Sequence, residues 1–323
     1  MNMKNKYIFV LVLLLSILVV SFGFTNLYVS QNQSVEDEEF VVVTSFYPMY
    51  IAAMNVVGDT EGVTLKNLSE PQTGCLHDFQ LTPADMKLLS TADVFVINGG
   101  GVESFMEEIA EQYPDLVIIE ACDEIELLCE TKTHGHEHDT ESGHEEREDD
   151  HNHDINAHAW MSVELYRKQV ENIANGLAAK APEYAEKFLT NASIYDGKLE
   201  VLQSEQEELL ALTQGEEVIM FHCAYDYVAE DLQMEVAFCM DLDEERQVSA
   251  GEVTEVLEVV EHHGVKYIFA EELYGAAMCE MVQKEADVEV IYLDPLNRGE
   301  YDTDSYINGM RMNFELIKNA FAN

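Results

Sequence analysis

From Phe40 onward, short apolar runs alternate with longer stretches in which apolar positions recur every three or four residues. FVVVTSFY is β-rich, and Pro48 opens a helical pattern reaching about Val57. GVTLKNLS predicts a second strand. TPADMKLLSTA predicts a helix capped by Thr82, with Pro83 at its first position. DVFVING predicts a buried strand, VESFMEEIAEQY a helix and LVIIEA a strand. Strand and helix in turn predict a parallel sheet covered on both faces.

The pattern lapses over residues 131–156 and then resumes. SVELYRKQVENIANGLAAKA predicts a helix capped by Ser162, and Pro182 breaks it. Glu183–Thr213 predicts one helix about 45 Å long at ~1.5 Å per residue. Alternation restarts with strand EVIMFHC, helix AYDYVAEDL and strand MEVAFCM. Helix AGEVTEVLEVVEHHG comes next, stopped by Gly264. Strand VKYIFAEE, helix GAAMCEMVQKEA, strand VEVIYLDP and a helix over Tyr301–Ala320 complete the chain. The expected fold class is α/β: two Rossmann-like lobes with parallel sheets joined by one long rigid helix. Residues 40–181 form the first lobe, 182–213 the linking helix and 214–323 the second lobe. Ligands of open α/β sheets lie beyond the carboxyl ends of the strands, so two facing lobes predict a cleft there.

The amino terminus has its own pattern. Lys4 and Lys6 precede an uncharged apolar run, Tyr7–Phe24, so residues 1–24 read as a signal peptide or an amino-terminal membrane anchor. No small-x-small cleavage site and no nearby cysteine come after it, which favours a retained anchor. Residues 25–39 then read as a tether. The remainder is expected outside the cytoplasm, at a cell surface or in a periplasm.

Charge narrows the function. Against 17 Lys and Arg stand 63 Asp and Glu among 323 residues, a formal net charge of −46. That field repels nucleic acid and concentrates cations. Six cysteines, Cys75, Cys122, Cys129, Cys223, Cys239 and Cys279, raise the question of disulfides in an exported chain. Cys122 and Cys129, flanking an acidic turn, form the expected local pair. Several others sit in apolar patterns as buried thiols.

Seven of the eleven histidines fall between His134 and Trp160: His134, His136, His138, His144, His151, His153 and His158. Interleaved with carboxylates, the first six predict a mobile, metal-capturing stretch ending near Asp154. The bland alternative is a solvated acidic loop. His158 differs, standing in NAHAWMS beside the single tryptophan.

Three further residues fall at comparable places. His77 lies in the loop CLHDFQLTP after a strand, His222 ends strand EVIMFHC, and Asp294 ends strand VEVIYLDP. Taken singly, such a histidine is a satisfied polar residue and Asp294 a turn residue before proline. Together with His158 they make three imidazoles and a carboxylate, a tetrahedral zinc set. His262 and His263 close a helix and serve its terminus.

HDFQLTP, NAHAW, FHCAYDYVAEDL, IFAEELY and LDPLN resemble, in order and spacing, the zinc- and manganese-binding solute receptors of ABC importers. The resemblance runs from about Phe40 to the end. It implies two lobes on a rigid backbone helix, ligands at His77, His158, His222 and Asp294, and delivery to a membrane permease. A histidine- and acid-rich loop ahead of the second ligand is common in the zinc branch. Three features depart from the pattern: Leu76 stands where proline or an acid is usual, Cys75 lies two residues before His77, and no lipid-anchoring cysteine is present. Cys75 could be a fifth ligand, a replacement, a buried thiol or a half-cystine.

A three-nitrogen, one-oxygen set favours Zn2+ over Mn2+. A monomer is expected. Two other functions compete. The same ligands could hold a hydrolytic zinc with Glu271 or Glu272 as base, although four protein ligands leave no open position. The chain could also be an extracellular metal buffer or adhesin without a transporter.

Overall fold

The structure is a computed structural model that describes residues 21, 39–73, 79–129, 155–240, 242 and 248–322. Val41–Asn323 forms one compact unit. The apolar run Tyr7–Phe24 lies, apart from Ser21, outside the described residues, among which no helix is long and apolar enough to cross a membrane.

Among the described residues, eight strands form two four-stranded sheets of the same order. The first is built from β1 (Phe40–Thr44), β2 (Val63–Asn67), β3 (Val94–Ile97) and β4 (Val117–Glu120), in the order β2-β1-β3-β4. The second uses β5 (Glu217–Met220), β6 (Glu235–Cys239), β7 (Tyr267–Ala270) and β8 (Glu289–Tyr292), in the order β6-β5-β7-β8. β1 pairs with β3 and β3 with β4 in parallel, as do β5 with β6 and β7, and β7 with β8. Central strands such as β3 are buried along their whole length, as parallel strands covered on both faces must be.

Helices alternate with the strands. In the first half these are α1 (Tyr47–Val57), α2 (Pro83–Leu89) and α3 (Met106–Gln112), with α4 (Val163–Lys180) after them. α2 begins where the sequence puts it: Thr82 and Asp85 form a reciprocal capping box and Pro83 opens the helix. α4 starts at Ser162, whose hydroxyl accepts from the Leu165 amide at 3.3 Å. In the second half come α7 (Asp226–Asp231), α8 (Ala250–His263), α9 (Glu272–Glu285) and α10 (Ser305–Phe321). Gly264 stops α8 in the left-handed region at φ 71°. Beside it, His263 faces Glu217 at 3.5 Å, in keeping with a role at the helix end.

Between the halves the stretch expected as one helix over 183–213 is helical but bends. α5 spans Ala185–Glu207 and α6 Leu210–Thr213. At the bend the Leu209 amide bonds to Gln206 three residues back, a tighter turn than an α-helix makes. α5 packs against α1 and α4 on one side and α10 on the other. Arg311 clamps Glu205 through two hydrogen bonds of 2.7 and 2.8 Å.

The expected Cys122–Cys129 disulfide is corrected: Cys122 and Cys129 are free thiols, as is Cys279. Cys122 turns inward after β4, where its sulfur lies 3.1 Å from Gln169 Nε2 and burial pushes its thiol up to about 12. Cys129 is exposed and pairs as an isolated bridge with Ile155.

Candidate metal centre

The carboxyl end of β3 prepares the first half of the site. Gly100 takes φ 66°, and a Cβ there would stand 3.2 Å from the Ala157 Cβ. Glycine therefore lets the segment 155–158 lie close against this turn. Asn98 fixes it there by donating to the Ala157 carbonyl at 2.9 Å.

Asn156 orients the histidine two residues on. Its Nδ2 donates to the Cys223 carbonyl at 2.7 Å and to Asp226 at 3.1 Å. Its Oδ1 therefore accepts, from the His158 amide at 3.1 Å and from His158 Nδ1 at 2.9 Å. That places the His158 proton on Nδ1 and leaves the Nε2 lone pair for a ligand. The His158 ring is 2% exposed and lies beside Trp160 with centroids 5.0 Å apart.

The second half supplies His222. β5 ends at Met220, and Phe221 is still tied to β7 through the Phe269 carbonyl at 2.8 Å. His222 is extended, then Cys223–Tyr225 forms a short 3-10 turn into α7. Glu271 comes directly after β7. Both residues thus stand where β5 and β7, adjacent in the sheet, give way to segments leading to different strands. This is the crevice where such sheets take ligands. Glu271 Oε2 lies 3.4 Å from His222 Nδ1, while Oε1 accepts from Arg298 at 3.1 Å. A carboxylate can only accept, so His222 also presents its Nε2 away from this partner.

His158 and His222 meet at right angles, with ring centroids 5.1 Å apart. With Cys223 they form a buried group in which one ligand atom of each lies within 4.8 Å of the others. Asp294 stands outside that group. Its Oδ1 accepts from the Leu296 amide at 2.8 Å, closing a turn over Pro295, and Asn313 grips its backbone on both sides. Desolvation raises its carboxyl above the usual range and the Glu271 charge adds to this, while the Leu296 amide and Arg298 oppose it. His77 and Cys75 lie outside the described residues, as do the accessory histidines His134, His136, His138, His144, His151 and His153.

Residues 42–320 match the family of the periplasmic component A of zinc-uptake complexes, ZnuA. The chain belongs to the ZnuA family. Like this chain, the curated zinc-binding lipoprotein AdcA of Streptococcus pneumoniae carries such a region. The two are 28% identical over 310 residues, which cover 94% of this chain and 60% of AdcA. The chain spans about 60% of the length of the curated relatives it matches first. The crystal structure of Zn(II)-bound AdcA from S. pneumoniae superposes with a TM-score of 0.71 at 25% identity, over 88% of this chain and 58% of that one. The Ni2+ complex of FpvC from Pseudomonas aeruginosa shares the fold, with a TM-score of 0.73 at 24% identity over 88% of this chain and 97% of that one. Within this ZnuA-family chain, Asn156, Cys223 and Arg298 are site residues that the sequence pattern does not single out. NAHAW contains Asn156, but nothing local announces an amide that reaches residue 223.

Proposed function

We propose that this chain is an extracytoplasmic receptor that captures Zn2+ and hands it to the permease of an ABC-type importer. The observation that carries the reading is the convergence of His158 and His222. They come from distant parts of the chain, both are buried, and each has its Nδ1 directed to an oxygen acceptor, so both Nε2 atoms are available to one ion. Outer partners of this kind are what set the tautomer of metal-bound imidazoles. His77 and Asp294 complete the set that the sequence order assigns. Nitrogen-rich ligation favours Zn2+ over Mn2+. Membership of a zinc-uptake family and the zinc bound by AdcA support the same cargo.

The role is binding rather than catalysis. Glu271, the candidate base, is held between Arg298 and His222 and so orients a ligand. The histidine-rich stretch raises the local zinc concentration, and the buried site holds one ion tightly. The division into lobes 40–181 and 214–323 about the helical run 182–213 limits opening to modest adjustments. The chain acts as a monomer, with residues 1–24 holding it at the membrane.

Calorimetry and metal analysis of the purified chain test this. One tight Zn2+ site, weaker for Mn2+ and lost in both His158→Ala and His222→Ala, is expected. Tight zinc binding that survives both substitutions, or tighter Mn2+ binding, overturns it.

A further inference from the structure

We propose that residues 298–303 are a clasp fastening the two halves of the chain beside the site, and that Tyr301, its anchor, sets how fast the ion enters and leaves. The proposal rests on the zinc-receptor reading above and keeps its ligand set. The clasp begins just past Asp294. Trp160, from the first half, donates to the Pro295 carbonyl at 2.8 Å. Leu296 then takes φ 54°, a left-handed conformation that few residues other than glycine adopt. Such strain persists only where the surroundings hold a residue in place, and it gathers at clamps and switches.

From Gly299 onward the segment lies on the first half. The Gly299 amide donates to the Pro71 carbonyl at 3.0 Å, and Gln72 Nε2 donates to the Gly299 carbonyl at 3.4 Å. Glycine allows this close approach: a Cβ there would stand 2.6 Å from the Tyr47 hydroxyl, which donates to the Glu300 carbonyl at 2.9 Å. Asn55 Nδ2 donates to the Thr303 carbonyl at 2.9 Å. All these bonds use the backbone of the clasp, so Tyr301 is where a side chain matters. Its ring lies 4.1 Å from that of Tyr50 and stacks on Tyr47 at 6.1 Å. Its hydroxyl accepts from Asn67 Nδ2 at 2.9 Å and donates to the Ser69 carbonyl at 3.4 Å.

The consequence is kinetic. His158 and His222 come from different halves and both are buried, so an ion reaches their Nε2 atoms only when the halves part slightly. Tyr301 resists that parting, yet its partners Tyr47, Tyr50, Asn67 and Ser69 are not ligands. Removing it lowers the barrier and leaves the donors unchanged. Tyr301 is therefore a positioning residue, and at 36% exposed it can peel away without opening the core.

Stopped-flow mixing reads both rates. Zinc-loaded chain mixed with excess fluorescent zinc dye gives release, and free chain mixed with Zn2+ gives uptake. In Tyr301→Ala both should rise about tenfold, the scale of one aromatic stack and one hydrogen bond, with affinity unchanged. Tyr301→Phe keeps the stack and loses the hydroxyl, so its rates should fall between. Tyr113→Ala is the control: it removes a ring and a hydroxyl bonded to the Met86 carbonyl in α2, and should alter neither rate. Unchanged rates in Tyr301→Ala, lost affinity with unaltered uptake, or equal quickening in Tyr113→Ala overturns the clasp and leaves the receptor standing. Failure of the wild-type chain to bind Zn2+ tightly sinks the receptor itself.

Discussion

His222 Nδ1 lies 3.4 Å from Glu271 Oε2, and the same carboxylate takes a 3.1 Å hydrogen bond from Arg298 on its other oxygen. Imidazole, carboxylate and guanidinium thus form a line of alternating polarity pointing into the candidate site. Glu271 is almost wholly buried, and its Oε2 faces His222 without a hydrogen bond among the described residues. A buried carboxylate is costly unless paired. Arg298 balances its charge, and His222 gives it a direction.

Glu271→Gln keeps the shape of the side chain but weakens the pull on His222 Nδ1–H. Zinc affinity should fall by about 10–100-fold, as for other outer carboxylate partners of metal-bound histidines. Calorimetry at neutral pH reads this. Unchanged affinity would show that His222 is oriented by its packing alone.

Asn156→Ala removes the acceptor that fixes His158 and two donors that reach the second half of the chain. Several buried hydrogen bonds at about 1 kcal/mol each, plus the groups left unsatisfied, predict a loss of about 2–4 kcal/mol in stability. Asn156→Asp retains the acceptor but not the donors, so it should bind zinc better than Asn156→Ala. Denaturant unfolding and zinc titration of the two variants separate these effects.

Trp160 is the single tryptophan of the chain and is fully buried. It donates to the Pro295 carbonyl at 2.8 Å, meets Phe46 edge-on at 5.2 Å and touches the His158 ring. One equivalent of Zn2+ should therefore change its emission, and His158→Ala should abolish the change. Trp160→Ala should cost about 3–5 kcal/mol, as other deletions of a large buried ring do.

Asp231 gives a pH signature away from the site. Burial raises its carboxyl to about 6, against the hydrogen bonds from Ser162 and Gln206 that lower it, while Glu164 and Glu230 raise it further. A raised folded-state value means that its stabilising contribution is full below about pH 4, the unfolded value, and is lost as pH rises through about 6. Asp231→Asn should gain about 1–3 kcal/mol on the wild type between those limits, after allowance for partial solvent screening. Unfolding at pH 4 and pH 7 checks the sign; a constant difference refutes it.

Much of the fold is legible in the chain. The Thr82 cap, the Ser162 cap and the Gly264 stop are local signals, and each stands where the pattern puts it. The strand order is a longer-range property, yet alternation of strand and helix leaves a parallel sheet few options. His158 and His222 stand out because loop positions after strands are few. The errors have local causes as well. Spacing suggests that Cys122 and Cys129 pair, but Cys122 is drawn into the core by β4 while Cys129 stays at the surface. The helical run Glu183–Thr213 has no proline or glycine at its bend, so periodicity carries straight through it. Cys223 looks in the sequence like one more buried thiol, since its nearness to His158 depends on Asn156, many residues away.

The segment that feeds His158 is fastened where it enters the fold. Ile155 bridges to Cys129, the Asn156 amide bonds to the Leu128 carbonyl at 2.8 Å, and Tyr227 receives the Leu128 amide at 3.1 Å. The two ends of the insertion are thus stitched together at its neck. Whatever residues 130–154 do, their number is free to vary, since closing a longer loop adds only about 0.6 kcal/mol per doubling. A change of length between residues 129 and 155 is therefore absorbed at this neck, before it reaches Asn156 and His158.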